Sequence, residues 1–216
     1  MNERMSERYY EINLKPLEKS FFKNPAEIVA PSLIGCSLVK KINKNHFLSG
    51  IIVETEAYSQ IEPSCHGHYR RSTSNETLFG EPGRFYIYLT YGIYHCVNIV
   101  TDKINFASGV LLRSLAITGE SERIASGPGL LAKRFDLTRK DNDCESSIES
   151  GLWIAGNSQP DNMGEIIRTS RIGISEAKEL QWRWYLKKSR SISKRAPGDR
   201  IPKPENSWYP NEKTFP

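Results

Sequence analysis

Cysteine is scarce in this chain, and long apolar runs do not occur. The four cysteines among 216 residues stand singly, and none forms a Cys-x-x-Cys pair. This spacing excludes a disulfide scaffold and a zinc ribbon, so we expect reduced thiols. The longest apolar runs, such as IIV at 51–53, are far shorter than the roughly 18 residues that a membrane-spanning helix needs.

The chain also lacks internal repeats and any low-complexity linker, which favours a single domain. We predict a polar N-terminal arm over 1–20, the main domain over 21–193, and a basic, proline-rich C-terminal tail over 194–216. The first nineteen residues are charged throughout and contain no apolar segment of the secretory kind, so we expect a cytoplasmic protein.

Basic residues outnumber acidic ones, and they cluster near the C-terminus. The formal net charge is +5, which favours negatively charged partners such as nucleic acid. Residues 181–200 carry seven Lys or Arg against one acid, interleaved with Trp182, Trp184 and Tyr185. Such a mixture is typical of a phosphate-tracking surface, although a solvated helix end would look similar.

The hydrophobic pattern predicts a mixed α/β (α+β) fold with a curved, mainly antiparallel sheet, flanking helices and a protruding β-hairpin. A helix interrupted at Pro31 should precede the first strand, and residues 59–82 should form a long, functional loop. Two further helices are expected, one entered through Pro128 and one over 175–188 with Ser175 as its N-cap. The other predicted strands cover 47–58, 84–90, 93–100, 109–117, 152–155 and 165–175.

Two acids share one face of the predicted strand that contains VETEAY. The strand period of two places Glu54, Glu56 and Tyr58 on the same side. A solvent-facing polar face would explain this pattern without any function. Alternatively, a buried glutamate at a strand end can act as a general base on water.

The stretch GRFYIYLTYGIYHCVNIV, at 83–100, predicts a hairpin with a tyrosine at its tip. Alternation puts Phe85, Ile87 and Leu89 on an apolar face and Tyr86, Tyr88 and Thr90 on the other. Tyr86 could simply pack in a sheet, but Tyr91, beside Gly92, loses burial energy at a turn unless something covers it. DNA could cover it, because apolar wedges enter base steps and flat side chains stack on extruded bases.

Five motifs together resemble the 3-methyladenine (alkyladenine) DNA glycosylase family. They are VETEAY, CHGHYRR, LFGEPGRFYIYLTYGIYHCVNIVT, GVLLRSL and SGPGLLAK, and their order and spacing agree over most of the chain. The resemblance implies a DNA repair enzyme that flips alkylated or deaminated purines out of duplex DNA and hydrolyses the N-glycosidic bond. It implies no metal or redox cofactor, and no membrane or obligate protein partner.

Carried over onto this sequence, the resemblance assigns seven residues. Glu56, rather than Glu54, would be the general base, and Arg113 would help to hold the attacking water and could also pair with Glu56. Tyr91 would fill the gap that the extruded nucleotide leaves. The base pocket would be lined by Tyr58, His66, Tyr88 and Asn98, with Asn98 disfavouring guanine.

Further expectations follow from these assignments. The motifs place no lysine beside the site, so we expect a monofunctional enzyme that leaves an abasic site and does not cleave the strand through a Schiff base. A DNA scanner of this size should be a monomer, nucleoid-associated in a bacterium or nuclear in a eukaryote. The loop departs from the family pattern, with Ser74 where an arginine usually precedes the asparagine and with the Tyr58 to His66 spacing one residue short.

The sequence allows two other interpretations. Cysteines and histidines at 65, 66, 68, 95 and 96 could approach each other, but no zinc-type spacing supports a metal site, and His68 and His46 fit ordinary surface or loop positions. A protein of the same fold that binds duplex DNA or RNA without turnover is the rival from another class. Intact Glu56, Arg113 and Asn98 favour the enzyme.

Overall fold

An eight-stranded sheet, in which neighbouring strands pair antiparallel, forms the centre of the molecule. The computed structural model describes residues 14–44, 46–156 and 163–210. The strands are β1 (Ser37–Asn43), β2 (His46–Ser59), β3 (Phe85–Thr90), β4 (Tyr94–Val100), β5 (Ser108–Ala116), β6 (Leu152–Ala155), β7 (Ile166–Thr169) and β8 (Arg183–Leu186). The helices are α1 (Lys19–Phe22), α2 (Ala26–Ser32) and α3 (Pro128–Arg134), and short 3-10 turns cover Glu76–Phe79, Arg139–Asp141 and Pro204–Asn206.

The fourteen-residue strand β2 organises this sheet, whose main path runs β3-β4-β5-β2-β1-β6. One edge of β2 pairs with β5, while the other edge pairs first with β1 and then, over Glu54 to Glu56, with β8. The β2–β5 register shifts twice around Glu54, and Arg113 lies at the second shift. Such irregularities bend and twist a strand, so the sheet curls at the point where the acids lie.

Buried apolar side chains between α2 and the β2, β5 and β8 strands form the main core. Thr55, on the core face of β2, donates a hydrogen bond to the Ala30 carbonyl of α2 at 2.8 Å. A second, smaller cluster lies under the loop after β2 and includes Cys65, Phe79 and Tyr86. Within the described ranges, no helix has the length and apolar character to cross a bilayer.

The predicted fold class is confirmed: α and β elements mix around a curled antiparallel sheet with few helices. Helix α2, which contains Pro31, ends one residue after it, and the hairpin and the helix entered at Pro128 both form. The strand predicted over 165–175 is shorter and covers only Ile166–Thr169.

The helix predicted over 175–188 is wrong. Ser175 caps no helix, Ala177 has a positive φ of 48°, and the chain reaches 183 before it forms β8. All four residues of β8 are buried between β2 and β7. The apolar spacing resembled a helical period because this strand buries both of its faces, and tertiary packing overrode the local preference.

Residues 187–210, which we call the C-terminal strap, have little regular structure but are tied to the body. Trp208 is buried in the main core, and its amide donates to the Lys188 carbonyl at 2.9 Å. The Tyr209 hydroxyl donates to the carbonyls of Ile117 and Glu120. The predicted tail, 194–216, therefore packs on the body up to 210, and its last six residues lie outside the described range.

Candidate functional site

A cavity of about 460 Å³ opens on one side of the curled sheet. This volume is within the range of small-molecule sites, roughly 300–1,000 Å³. Strands β3, β4 and β5 supply its floor, the loop after β2 supplies one wall, and residues 172–176 supply the opposite wall. Aromatic, aliphatic and charged side chains all reach it, so it can hold a flat polar molecule.

Glu56 lies directly beneath this cavity and is fully buried. One carboxylate oxygen, Oε1, accepts a hydrogen bond from the Ile172 amide at 2.7 Å. The other, Oε2, accepts from the Tyr58 hydroxyl at 2.9 Å and from Arg113 Nη1 at 3.1 Å. Tyr58, Arg113 and Ile172 all line the cavity, so the residues that bond to Glu56 separate it from the cavity.

Glu54, two residues earlier, is also fully buried and faces the same guanidinium. Its Oε1 accepts from Arg183 Nε at 2.7 Å, and Arg113 Nε lies 3.4 Å from the same oxygen. Ser114 Oγ and the Ser193 amide donate to its Oε2 at 2.7 and 2.8 Å. The predicted common face of the two acids is therefore observed, and it is turned inward, so the solvent-facing alternative is wrong.

The two carboxyls differ in how strongly they hold a proton. Burial raises the pKa of Glu56, and Arg113 and the two other donors only partly oppose this effect. Burial also disfavours the charged form of Glu54, but Arg113 and Arg183 outweigh it and hold the pKa of that carboxyl below its usual range. Environments that separate two carboxyls in this way are typical of acid–base sites. The surroundings therefore shift the two pKa values in opposite directions, that of Glu54 downward and that of Glu56 upward.

Tyr58 is held in place by an arginine that sequence reasoning missed. Arg171 donates two hydrogen bonds to Glu62, at 2.7 and 2.8 Å, and one to the Ala57 carbonyl at 2.9 Å. Its guanidinium carbon lies 4.7 Å from the centre of the Tyr58 ring. Burial and the neighbouring Glu56 raise the pKa of Tyr58 well above its usual value, so this hydroxyl remains a proton donor.

Aromatic rings cluster where the loop after β2 meets the β3 strand. The His66 and Tyr88 ring centres are 4.4 Å apart, and the Tyr86 and Tyr88 centres are 5.3 Å apart. His66 lines the cavity, and its Nδ1 shares a hydrogen bond of 3.0 Å with the Tyr86 hydroxyl. Partial burial lowers the pKa of His66, so the ring is neutral at pH 7 and offers one donor and one acceptor.

Two asparagines donate hydrogen bonds to backbone carbonyls near these rings. Asn98 of β4 lines the cavity, and its Nδ2 donates to the Tyr86 carbonyl at 3.0 Å. Asn75, which sequence reasoning did not single out, donates to the His66 and Arg70 carbonyls at 2.8 and 3.0 Å and so holds the loop that carries His66. Ser74, which replaces the expected arginine, shares a hydrogen bond with Ser72.

The tip of the β3–β4 hairpin stands at the edge of the cavity. Tyr91 is 86% exposed, and its φ of 51° is rarely adopted by a large side chain. Since Thr90 pairs with Tyr94, the loop has three residues, not the predicted two, and Ile93 is also exposed. Leu89, predicted to face the core, is exposed as well, because the end of the hairpin extends beyond the body.

All seven site residues inferred from the sequence meet here: six line the cavity and Glu56 lies under it. Two of the residues that could be metal ligands contact backbone carbonyls instead. Cys65 is 3.9 Å from the Ala107 carbonyl, and His68 Nδ1 is bonded to the Gln60 carbonyl at 2.7 Å. In the part of the chain that the structure describes, no three potential ligand side chains converge.

Comparison with known proteins gives a consistent result. The family model for methylpurine-DNA glycosylase matches residues 20–190. Relatives named "Putative 3-methyladenine DNA glycosylase" match most of the chain. One from Trichodesmium erythraeum is 34% identical over 199 residues, which is 84% of this chain and 99% of that protein. One from Carboxydothermus hydrogenoformans is 38% identical over 191 residues, 83% of this chain and 99% of that protein.

Proposed function

The chain belongs to the methylpurine-DNA glycosylase family, and from this premise we propose that it excises damaged purines from duplex DNA. The proposed reaction flips the damaged nucleotide into the cavity and hydrolyses the N-glycosidic bond with water activated by Glu56. The observation that carries the proposal is the position of Glu56, a carboxyl with a raised pKa beneath a cavity lined by flat rings.

The rings support the binding of a purine. Tyr58, His66 and Tyr88 present flat surfaces to one cavity, and stacking on an aromatic ring contributes about 1–3 kcal/mol per base. His66 Nε2 can hydrogen-bond to the edge of the base, and Asn98 has its amide orientation fixed by the Tyr86 carbonyl. We propose that Asn98 opposes guanine through its exocyclic amine.

The charges support the chemistry. As the glycosidic C–N bond breaks, the sugar gains positive oxocarbenium character, and a carboxylate beneath it stabilises that charge and takes a proton from water. Arg113, paired with Glu56 and lining the cavity, can hold the attacking water. The side chains that line the described cavity include no lysine, which supports a monofunctional hydrolase that leaves an abasic site.

An excision assay tests this proposal directly. A duplex oligonucleotide with one hypoxanthine, ethenoadenine or 3-methyladenine is incubated with the protein and then treated with alkali. Scission at the lesion only after alkali is expected. Scission without alkali would contradict the monofunctional assignment, and intact DNA on the whole panel would contradict the enzyme.

A protein that binds lesion DNA without turnover is the second candidate, and one observation favours it. Glu56 has no exposed surface and both of its oxygens are already hydrogen-bonded. Water can reach it only if one of its three donors moves or shares its bond. Binding to the lesion duplex without scission after alkali would support this candidate.

The pH dependence of excision should report the raised pKa of Glu56. The base must be ionised to accept a proton, so the rate should rise with pH and level off only above the usual glutamate pKa of about 4.3. Single-turnover rates on ethenoadenine DNA between pH 4.5 and 8 measure this rise of the excision rate with pH. A flat profile across that range would contradict a raised pKa in the working base.

Tyr91→Ser should weaken binding to lesion DNA while leaving the fold intact. The exposed ring makes no buried contact to lose, but as a wedge it would fill the space of the extruded nucleotide. We expect about tenfold weaker binding, which corresponds to about 1.4 kcal/mol and lies within the stacking energy of about 1–3 kcal/mol per base. Ile42→Ser, at an exposed position (52%) near the β1–β2 turn, is the matched control. Equal binding by both variants would remove Tyr91 from this role.

A further inference from the structure

Ser193, in the C-terminal strap, contacts both Glu54 and Arg113. Its hydroxyl donates to Glu54 Oε1 at 2.9 Å, and its amide donates to Glu54 Oε2 at 2.8 Å. The same hydroxyl oxygen accepts a hydrogen bond from Arg113 Nη2 at 3.4 Å. Ser193 lies beyond the residues 20–190 that the family model matches, and it was not among the site residues inferred from the sequence.

The orientation of Arg113 depends on few contacts. Nη1 donates to Glu56 and Nη2 to Ser193, whereas Nε is buried and makes no hydrogen bond, although Glu54 Oε1 lies 3.4 Å away. The ion pair between Nε and Glu54 includes no hydrogen bond, so the two Nη hydrogen bonds set the rotation of the guanidinium plane. Glu56 binds Nη1, and Ser193 binds Nη2.

The strap is itself anchored on both sides of Ser193. Arg123 Nη1 donates to the Ile192 carbonyl at 3.2 Å, and Arg183 Nη2 donates to the Lys194 carbonyl. Arg183 also donates to Glu54, so one side chain ties the strap to the buried acid. The position of the serine is therefore set by the body of the protein and not by the local chain alone.

We propose that Ser193 is a positioning residue that orients Arg113 toward Glu56, so that the C-terminal strap completes the active site. The inference rests on the proposed glycosylase function. Ser193 does not line the cavity, so it acts on the reaction through Arg113. A small rotation of Arg113 would displace the water that it holds, and a misplacement of about 1 Å can cost on the order of 100-fold in rate.

The test compares Ser193→Ala, Ser193→Thr and Ser191→Ala in the full chain. Ser191 is buried two residues away and its hydroxyl has no hydrogen-bond partner, so its removal controls for a change of the strap alone. We expect Ser193→Ala to lower the single-turnover excision rate about tenfold, with nearly unchanged affinity for lesion DNA. Threonine keeps the hydroxyl and should restore most of the rate, and Ser191→Ala should match the unaltered protein.

A second readout does not require excision. Arg113 opposes the rise in the pKa of Glu56, so a loosened Arg113 should let that carboxyl titrate at still higher pH. Nuclear magnetic resonance of ¹³C-labelled glutamate, with Glu56→Gln for assignment, measures this titration in the unaltered protein and in Ser193→Ala. Glu54 loses the hydroxyl donor of Ser193 in this variant but keeps the Ser193 amide, Ser114 and Arg183 as donors.

The outcomes separate the two proposals. An upward shift of the Glu56 titration in Ser193→Ala, but not in Ser191→Ala, supports the positioning role even if the unaltered protein excises no base on the panel. That absence of excision would count against the proposed function alone. An unchanged titration together with an unchanged excision rate would overturn the role of Ser193.

Discussion

Replacing Glu56 by glutamine should abolish excision while lesion DNA still binds. Removal of a general base typically costs about 10²–10⁴-fold in rate. The variant should fold, because burial already favours the neutral form of this carboxyl, and glutamine keeps its shape and one acceptor for the Ile172 amide. Single-turnover excision, gel-shift binding to ethenoadenine DNA and thermal unfolding measure the three properties.

Glu176→Gln is the matched control for this experiment. Glu176 supplies a second carboxylate at the cavity, where it lines the mouth and accepts hydrogen bonds from the Tyr69 hydroxyl at 3.3 Å. It is exposed, and it makes no contact with Arg113 among the described interactions. We expect Glu176→Gln to keep its excision activity. Loss of excision in Glu176→Gln and its retention in Glu56→Gln would exchange the two roles and contradict the proposed mechanism.

Local pattern predicted the strand and the hairpin that carry part of the site, whereas the roles of individual residues came from the family resemblance. The period of two in VETEAY placed Glu54, Glu56 and Tyr58 on one side of β2, where the structure has them. The hairpin was also predictable, because residues of alternating polarity flank Tyr91-Gly92. In the structure Gly92 has the positive φ, 71°, that the turn requires. The sequence did not show that the common face of the acids is buried, because that depends on groups from distant parts of the chain, such as Arg113, Ile172 and Ser193, that contact it.

The contacts that support the site were not predictable from local pattern. Arg171 and Glu62 are 109 residues apart, and Ser193 and Glu54 are 139 residues apart, so no spacing rule connects them. The false helix over 175–188 has the same origin. The spacing of its aromatic residues matches a helical period. The segment forms a strand because β2 and β7 pair with the two edges of β8. Nearest-neighbour preferences carry no information about such long-range partners.

Glu54→Gln should destabilise the fold strongly, in contrast to Glu56→Gln. Removing this charge leaves Arg113 and Arg183 buried with one carboxylate fewer, and breaking a buried ion pair in this way costs about 3–5 kcal/mol of unfolding free energy. Urea unfolding at pH 7 measures the loss. Glu165→Gln, which breaks the exposed pair with Lys187, is the control and should leave the unfolding midpoint nearly unchanged.

The difference between Glu54→Gln and the unaltered protein should also depend on pH in a defined direction. Because the folded-state pKa of Glu54 is held below its unfolded value, the ionised carboxylate stabilises the fold above about pH 4.3. That contribution is lost as the pH falls through the lower, folded-state pKa. The stability gap should therefore be full at pH 7 and should narrow on acidification. A gap that stays constant down to pH 3, or that widens, would show that Glu54 does not act as the fixed anion that balances the two arginines.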